Sequence, residues 1–210
     1  MMRMTVLASG SKGNSTVVAT SRTRILVDAG LSCREILRRM HAAGEDPRSL
    51  DAILITHEHQ DHVQGVAVLA RKLGIPVYFT EMTHRAWLRW MHPRKRMTYA
   101  DWLRQRQQEA DNGTAGDTSS RSVALAHAAS EPDTGLCEGI EERDPAALPS
   151  VAYFEAGKRF VVGDIDVEPF TIPHDAADPV GFVFEGDGVR IGFATDLGYM
   201  PANARHRAGW

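Results

Sequence analysis

The chain has 210 residues, 43% of them hydrophobic and 24% charged, which fits one globular domain and lies outside the disordered class. Lys+Arg 24 against Asp+Glu 27 leaves a formal net charge of −3, so a uniformly basic, histone-like nucleic-acid protein is excluded and any polyanion site must be a local patch. Cys33 and Cys137 have no CxxC spacing, which argues against a disulfide framework or thiolate zinc site; no apolar run nears the roughly 20 residues of a spanning helix, and a cytoplasmic protein without membrane partners is expected.

Taken in chain order, residues 4–8, 16–20 and 24–28 read as short strands, the first two joined by the turn-rich Ser9-Gly10-Ser11-Lys12-Gly13-Asn14-Ser15. Residues 31–43 carry apolar positions at Leu31, Ile36, Leu37 and Met40, with Ser32 as N-cap and Gly44 as stop, and predict a helix. A buried strand over 52–55 runs into His57, a helix over 63–73 ends at Gly74, and 76–80 is again a strand. Between Arg71 and Arg106 nine basic residues face two acids; from Gln107 to Ser150 the balance reverses to nine acids against two bases. The second stretch has few large apolar residues and no period, so 111–149 is expected to be an unstructured insertion within a single domain spanning 1–210. Beyond it, 159–162, 165–172, 180–185 and 189–194 predict an antiparallel meander turning at Gly163-Asp164 and Gly186-Asp187-Gly188. Strands at both ends and helices between them imply an α+β layered domain.

The chemistry concentrates in Thr56-His57-Glu58-His59-Gln60-Asp61-His62, where three of nine histidines and an aspartate follow directly on an apolar strand. Imidazole and carboxylate suit borderline divalent metals, Zn²⁺ first, with Mn²⁺ or Fe also possible. His57 and His59 project the same way from an extended chain. Asp61 and His62, being adjacent, converge only through a turn, so the loop can present two pairs of ligands to neighbouring sites. It is not the helical H-E-x-x-H signature, since Asp61 stands where the second histidine would be. The alternative is a polar loop with coincidental histidines, which four ligand-type residues at the end of a buried strand disfavour.

The same loop resembles the signature of the metallo-β-lactamase fold, a four-layer αββα sandwich that holds one or two metals at one edge of its sheets. Residues 8–15, Asp28-Ala29-Gly30-Leu31-Ser32, residues 170–182 and Ala194-Thr195-Asp196-Leu197-Gly198 are similar, more narrowly, to the bacterial YycJ (WalJ) family within that fold. The resemblance implies two divalent metal ions. His57, His59 and His174 would bind the first, Asp61 and His62 the second, with Asp196 bridging. Asp28 suits a supporting hydrogen bond to a ligating histidine, or simply a turn before Gly30. Taken alone, His174 is a loop histidine and Asp196 a turn or helix-capping aspartate.

Two metals held together imply hydrolysis by an activated water, with Asp61 as the catalytic residue that orients it. The resemblance implies DNA exonuclease activity. Arg85, Arg89, Arg94, Lys95 and Arg96, interleaved with Trp87, Trp90, Tyr99 and Trp102, offer charge for phosphates beside rings for base stacking; the competing reading is a helical pair with its tryptophans in the core and its arginines solvated. The loop at 11–15 offers Lys12 and backbone amides to a phosphate, or is an ordinary tight turn. A metal-dependent phosphodiesterase acting on DNA is therefore expected. The alternatives are a small-molecule ester or thioester hydrolase of the same fold, and an inactive fragment or interaction protein with a degenerate metal site. Relatives continue past the A-T-D-L-G strand to a late histidine, whereas this chain has fourteen residues after Asp196. A C-terminally incomplete sandwich is expected, with His206 a poor substitute for that ligand.

Overall fold

The computed structural model describes residues 1–92, 99–100, 102–104, 106–107 and 144–198. These fall into two compact units, 1–92 with 144–198 and the residues described between 99 and 107.

In the first unit, β1 (Arg3–Ala8), β2 (Ser15–Ala19) and β3 (Arg24–Val27) form an antiparallel series that continues in parallel through β4 (Ala52–Leu54), β5 (Val77–Phe79) and β6 (Val151–Tyr153), giving one six-stranded sheet in the order β1-β2-β3-β4-β5-β6. The helices of the parallel crossovers lie along the chain between those strands: α1 (Cys33–Ala42), α2 (Gln60–Val63), α3 (Val66–Leu73) and α4 (Glu81–Met91). The Ser32 hydroxyl accepts from Glu35 N to cap α1, and Gly74, at φ 69°, ends α3. The helix expected over 63–73 is in fact two, broken at Gly65, and the first of them begins inside the histidine-rich loop 56–62. Sequence pattern offers a helix at α4 only as the competing reading of the basic, aromatic run, and it does not resolve β6, which is three residues long.

A second sheet, β10-β9-β8-β7, is the expected meander: β7 (Phe160–Val162), β8 (Ile165–Thr171), β9 (Val180–Gly186) and β10 (Val189–Phe193), antiparallel throughout.

Alternation along the strands of the first sheet sorts side chains into two cores, because successive residues face opposite sides. Val17, Ala19, Leu26, Ile53 and Ile55 pack with Ile36 and Met40 of α1, Val66 and Leu69 of α3, and Trp87 of α4. Val18, Ile25, Val27, Ala52 and Leu54 instead meet Ile165, Val167, Val180, Phe182 and Phe184 of the second sheet. Each such side chain, taken fully out of water, contributes about 1.5–3 kcal/mol. The resulting order of layers is helix, sheet, sheet. On the outer face of the second sheet Phe170, Ile172 and Val183 are buried and pack with Ala194 and Leu197; among the described residues no helix covers that face.

Most of the stretch expected to be an insertion lies outside the described residues. Residues 144–149, grouped with it on composition, are folded: Ala146 is buried, and Arg71 donates to the carbonyls of Pro145 and Ala147. No helix among the described residues is long and apolar enough to cross a membrane.

Candidate metal centre

The edge at which β3 and β4 end, facing the loops after β8 and β10, gathers the predicted ligands. Parallel β3 and β4 deliver Asp28 and Thr56 side by side. Asp28 adopts a left-handed conformation (φ 61°), which aspartate tolerates better than most residues, and its buried carboxylate turns towards the loop. It accepts from Thr56 N at 2.9 Å, from Thr56 Oγ1 at 2.8 Å and from His62 Nδ1 at 2.7 Å. It is thus both the turn residue and the supporting partner that the sequence left as alternatives.

These bonds fix two tautomers. With its proton given to Asp28, Thr56 Oγ1 accepts from His57 Nδ1 at 3.0 Å, leaving His57 Nε2 as a lone pair. That atom is fully buried and has no hydrogen-bond partner among the described residues. Burial chiefly, then the charges of His62, His59 and His174, lowers the His57 pKa to about 2, so the ring stays neutral. His62 likewise directs Nδ1–H at Asp28 and Nε2 inward. Burial opposes its charging, but the hydrogen bond and charge of Asp28, with Asp196 and Asp61, outweigh this and raise its pKa.

Two groups of ligand atoms, each within 4.8 Å of one another, result: His57, His59 and His174, and His57, His62 and Asp196. His174 Nε2 lies 3.1 Å from His59 Nδ1, while its other nitrogen faces Asp175 Oδ1 at 3.1 Å. Asp196, at φ 56° just beyond β10, places Oδ2 2.8 Å from His62 Nε2 and 3.8 Å from His57 Nε2. Asp61 Oδ2 stands 3.6 Å from His62 Nε2, beside the second group. All six predicted site residues are therefore brought to one edge. His206, together with Arg94, Lys95 and Arg96, lies outside the described residues.

A buried, neutral, unpaired imidazole nitrogen is unfavourable unless something fills its place. The donor set of three imidazoles beside imidazoles and carboxylates fits borderline divalent cations and suits Zn²⁺ well.

Sequence pattern missed the residues that hold this edge together. Asn14 is buried; its Nδ2 donates to Asp61 Oδ2 at 3.2 Å and lies 2.9 Å from His62 Nε2, and its Oδ1 accepts from Gly10 N. Its backbone bonds Asp61 O and Gly30 N. Gly30 admits that approach because a Cβ there would lie 1.6 Å from Asp61 O. Glu58 Oε1 accepts from Ala177 N at 2.8 Å, and Val180 N donates to Thr56 O, so the His174 loop is tied directly to the histidine loop. These are tertiary contacts whose only trace in sequence is the composition of the Ser9–Ser15 turn.

The basic, aromatic run divides. Trp87 is buried in a stack with Phe79 and His84, as core, and Arg85 pairs with Glu81. Trp90 is 49% exposed. In the other unit Tyr99 and Trp102 stack at 5.7 Å, with the Arg106 guanidinium 5.6 Å over Trp102.

The chain is similar to known proteins in sequence and in fold. The chain is 34% identical over 198 residues to the exodeoxyribonuclease WalJ of Streptococcus pneumoniae serotype 2, an alignment covering 94% of this chain and 55% of that protein. It is 29% identical over 199 residues to the exodeoxyribonuclease YycJ of Bacillus anthracis, covering 95% and 56%. The chain thus spans about half the length of these curated relatives. Among solved structures, the subclass B3 metallo-β-lactamase BJP-1 of Bradyrhizobium japonicum superposes with a TM-score of 0.55 at 15% identity, over 91% of this chain and 58% of that one. The metallo-β-lactamase fold protein YhfI of Bacillus subtilis superposes with a TM-score of 0.54 at 12% identity, over 91% and 61%. Residues 8–208 match the family described as the metallo-beta-lactamase superfamily. Since that match runs through both ligand groups and the strands that carry them, the chain belongs to the metallo-β-lactamase superfamily.

Proposed function

We propose that the chain provides the metal-binding core of a metal-dependent phosphodiesterase that acts on DNA. The observation that carries this reading is the pair of adjoining ligand groups around the unpaired Nε2 of buried His57, and the exodeoxyribonuclease names of the relatives supply the direction towards DNA. His57, His59 and His174 would hold one ion, Asp61 and His62 a second, with Asp196 between them. Divalent ions held there supply Lewis-acid polarisation of a phosphoryl oxygen and acidify water into the neutral range.

The protein's part is to present lone pairs and to aim a base. Asp28 and Thr56 keep the protons of His62 and His57 on Nδ1, so that both Nε2 atoms face inward. The Asn14 amide holds Oδ2 of Asp61, leaving Oδ1 to accept a proton from, and orient, an attacking water. Asp61 is 30% exposed and His174 19%, so among the described residues the edge is open to solvent.

The test is the bound Zn, Mn and Fe content of the purified chain, with hydrolysis of end-labelled single- and double-stranded DNA by wild type and Asp61→Ala. Metal binding and DNA hydrolysis, with hydrolysis reduced at least ~100-fold in the variant, are expected. Absence of metal, or DNA hydrolysis indifferent to Asp61→Ala, would overturn the assignment.

A further inference from the structure

The turn between β1 and β2 is held unusually firmly for an exposed loop. Gly13 N closes it onto Gly10 O at 2.9 Å, the Asn14 side chain bonds both the N–H and the carbonyl of Gly10, and Asn14 N donates to Asp61 O at 2.7 Å. Its tip, Ser11 and Lys12, is exposed yet fixed relative to Asp61. The tip lines two cavities. One, of about 220 Å³, is bounded by Ser11, Lys12, Gln60, Asp61 and Gln64. The other, of about 320 Å³, runs from Lys12 to Arg39. Arg39 is engaged by Glu35 and by Leu7 O, whereas Lys12 has no ion pair among the described residues.

An ammonium group, a hydroxyl and two carboxamides around a pocket that opens on Asp61 form a donor-rich set next to the ligand groups. Such a set matches the oxygens of a phosphate rather than an apolar or cationic group. Resting on the phosphodiesterase reading, we infer that Ser11, Lys12, Gln60 and Gln64 form an anion subsite for the phosphate that neighbours the scissile one in a nucleic-acid strand. The loop is thereby a ruler: Asn14 fixes the distance between Lys12 and Asp61, and so where along the strand the reacting phosphate lies.

Two measurements on the whole chain test this. Binding of fluorescein-labelled hexathymidylate to the metal-free protein, followed by anisotropy across a series of KCl concentrations, should weaken roughly fivefold in Lys12→Ala. The slope of log K against log salt should fall by about 0.7, the value for one single-strand phosphate contact, and Lys12→Arg should restore both. With metal-loaded protein, Lys12→Ala should raise KM for a terminally phosphorylated thymidine dinucleotide roughly fivefold more than for bis(p-nitrophenyl) phosphate, which has no second phosphate. If wild type hydrolyses both substrates and Lys12→Ala matches it in KM ratio and salt slope, the subsite is refuted and the phosphodiesterase reading stands. If neither substrate is hydrolysed but the salt slope falls in Lys12→Ala, the catalytic reading fails and the subsite stands. A wild type that binds no oligonucleotide refutes the subsite outright.

Discussion

Asp28→Asn isolates the role of a single proton. Asparagine tolerates the left-handed backbone at this position and preserves the shape of the side chain. Thr56 N–H donates to Oδ1 at 2.9 Å, so the amide oxygen of the variant must remain there; otherwise a buried N–H is left unpaired, at about 1–3 kcal/mol. The amide nitrogen then faces His62 Nδ1, which in wild type lies 2.7 Å from Asp28 Oδ2. Two donors cannot share that contact. His62 moves its proton to Nε2, the atom pointing at Asp196 Oδ2 from 2.8 Å, and loses the lone pair a second ion requires.

Restoring the productive tautomer costs about 1–3 kcal/mol, or roughly 5- to 150-fold in affinity for the second ion. A competing effect has the opposite sign. Asp28 also raises the His62 pKa, so the variant loses protons more readily and metal competes better. As pH rises above the raised His62 pKa, proton competition disappears and the tautomer effect decides. Zinc titration of the metal-free protein against a chromophoric chelator should therefore show the first step retained and the second weakened, with the His62 tautomer read by ¹⁵N NMR. Unchanged affinity for the second ion, or equal loss of both with the circular dichroism spectrum intact, refutes the reasoning.

Two further outcomes follow from single contacts elsewhere in the fold and behind the ligand loop. Asp164 joins the second sheet to the first through Thr23, Thr20 and Arg22, and these hold its pKa down to about 2. A carboxyl depressed on folding stabilises above its unfolded pKa and loses that contribution as pH falls from about 4 towards 2. Asp164→Asn should thus flatten the acid limb of stability across that window relative to wild type, and parallel curves would contradict the assignment. Gly30→Ala places a Cβ 1.6 Å from Asp61 O and 2.7 Å from Asn14 N, and should lower stability in urea by about 3 kcal/mol and weaken the second ion. Gly198→Ala, where the added Cβ meets open space, serves as the comparison; equal effects at the two positions would show that the clash is relieved.

The linear pattern of residues determined much of this protein. Short apolar runs between the turns at Gly163-Asp164 and Gly186-Asp187-Gly188 marked the meander, since turn chemistry is local information. Ser32 and Gly74 marked helix ends through backbone chemistry that needs no partner. The clustering of His57, His59, Asp61 and His62 pointed to a metal site, because four ligand-type residues within six positions need only one turn to converge. His174 and Asp196 became candidates only through the resemblance to a known family, since each alone is an ordinary loop residue.

Tertiary structure decided the rest. A helix over 63–73 was legible but its break was not, because Gly65 is required by the nearby Leu31 carbonyl, 34 positions away in the chain. Trp87 and Trp90 share a helical spacing, yet one enters the core and the other remains half exposed. Asp28 could not be assigned until parallel β3 and β4 set it beside Thr56. Asn14 fell within a family-like motif, but its role could not be read there, because that role lies in Asp61, 47 residues away. Sequence therefore named the groups able to hold metal. Only the meeting of distant strand ends fixed which nitrogen of His57 and of His62 keeps its proton, and that choice decides whether these two present lone pairs to an ion.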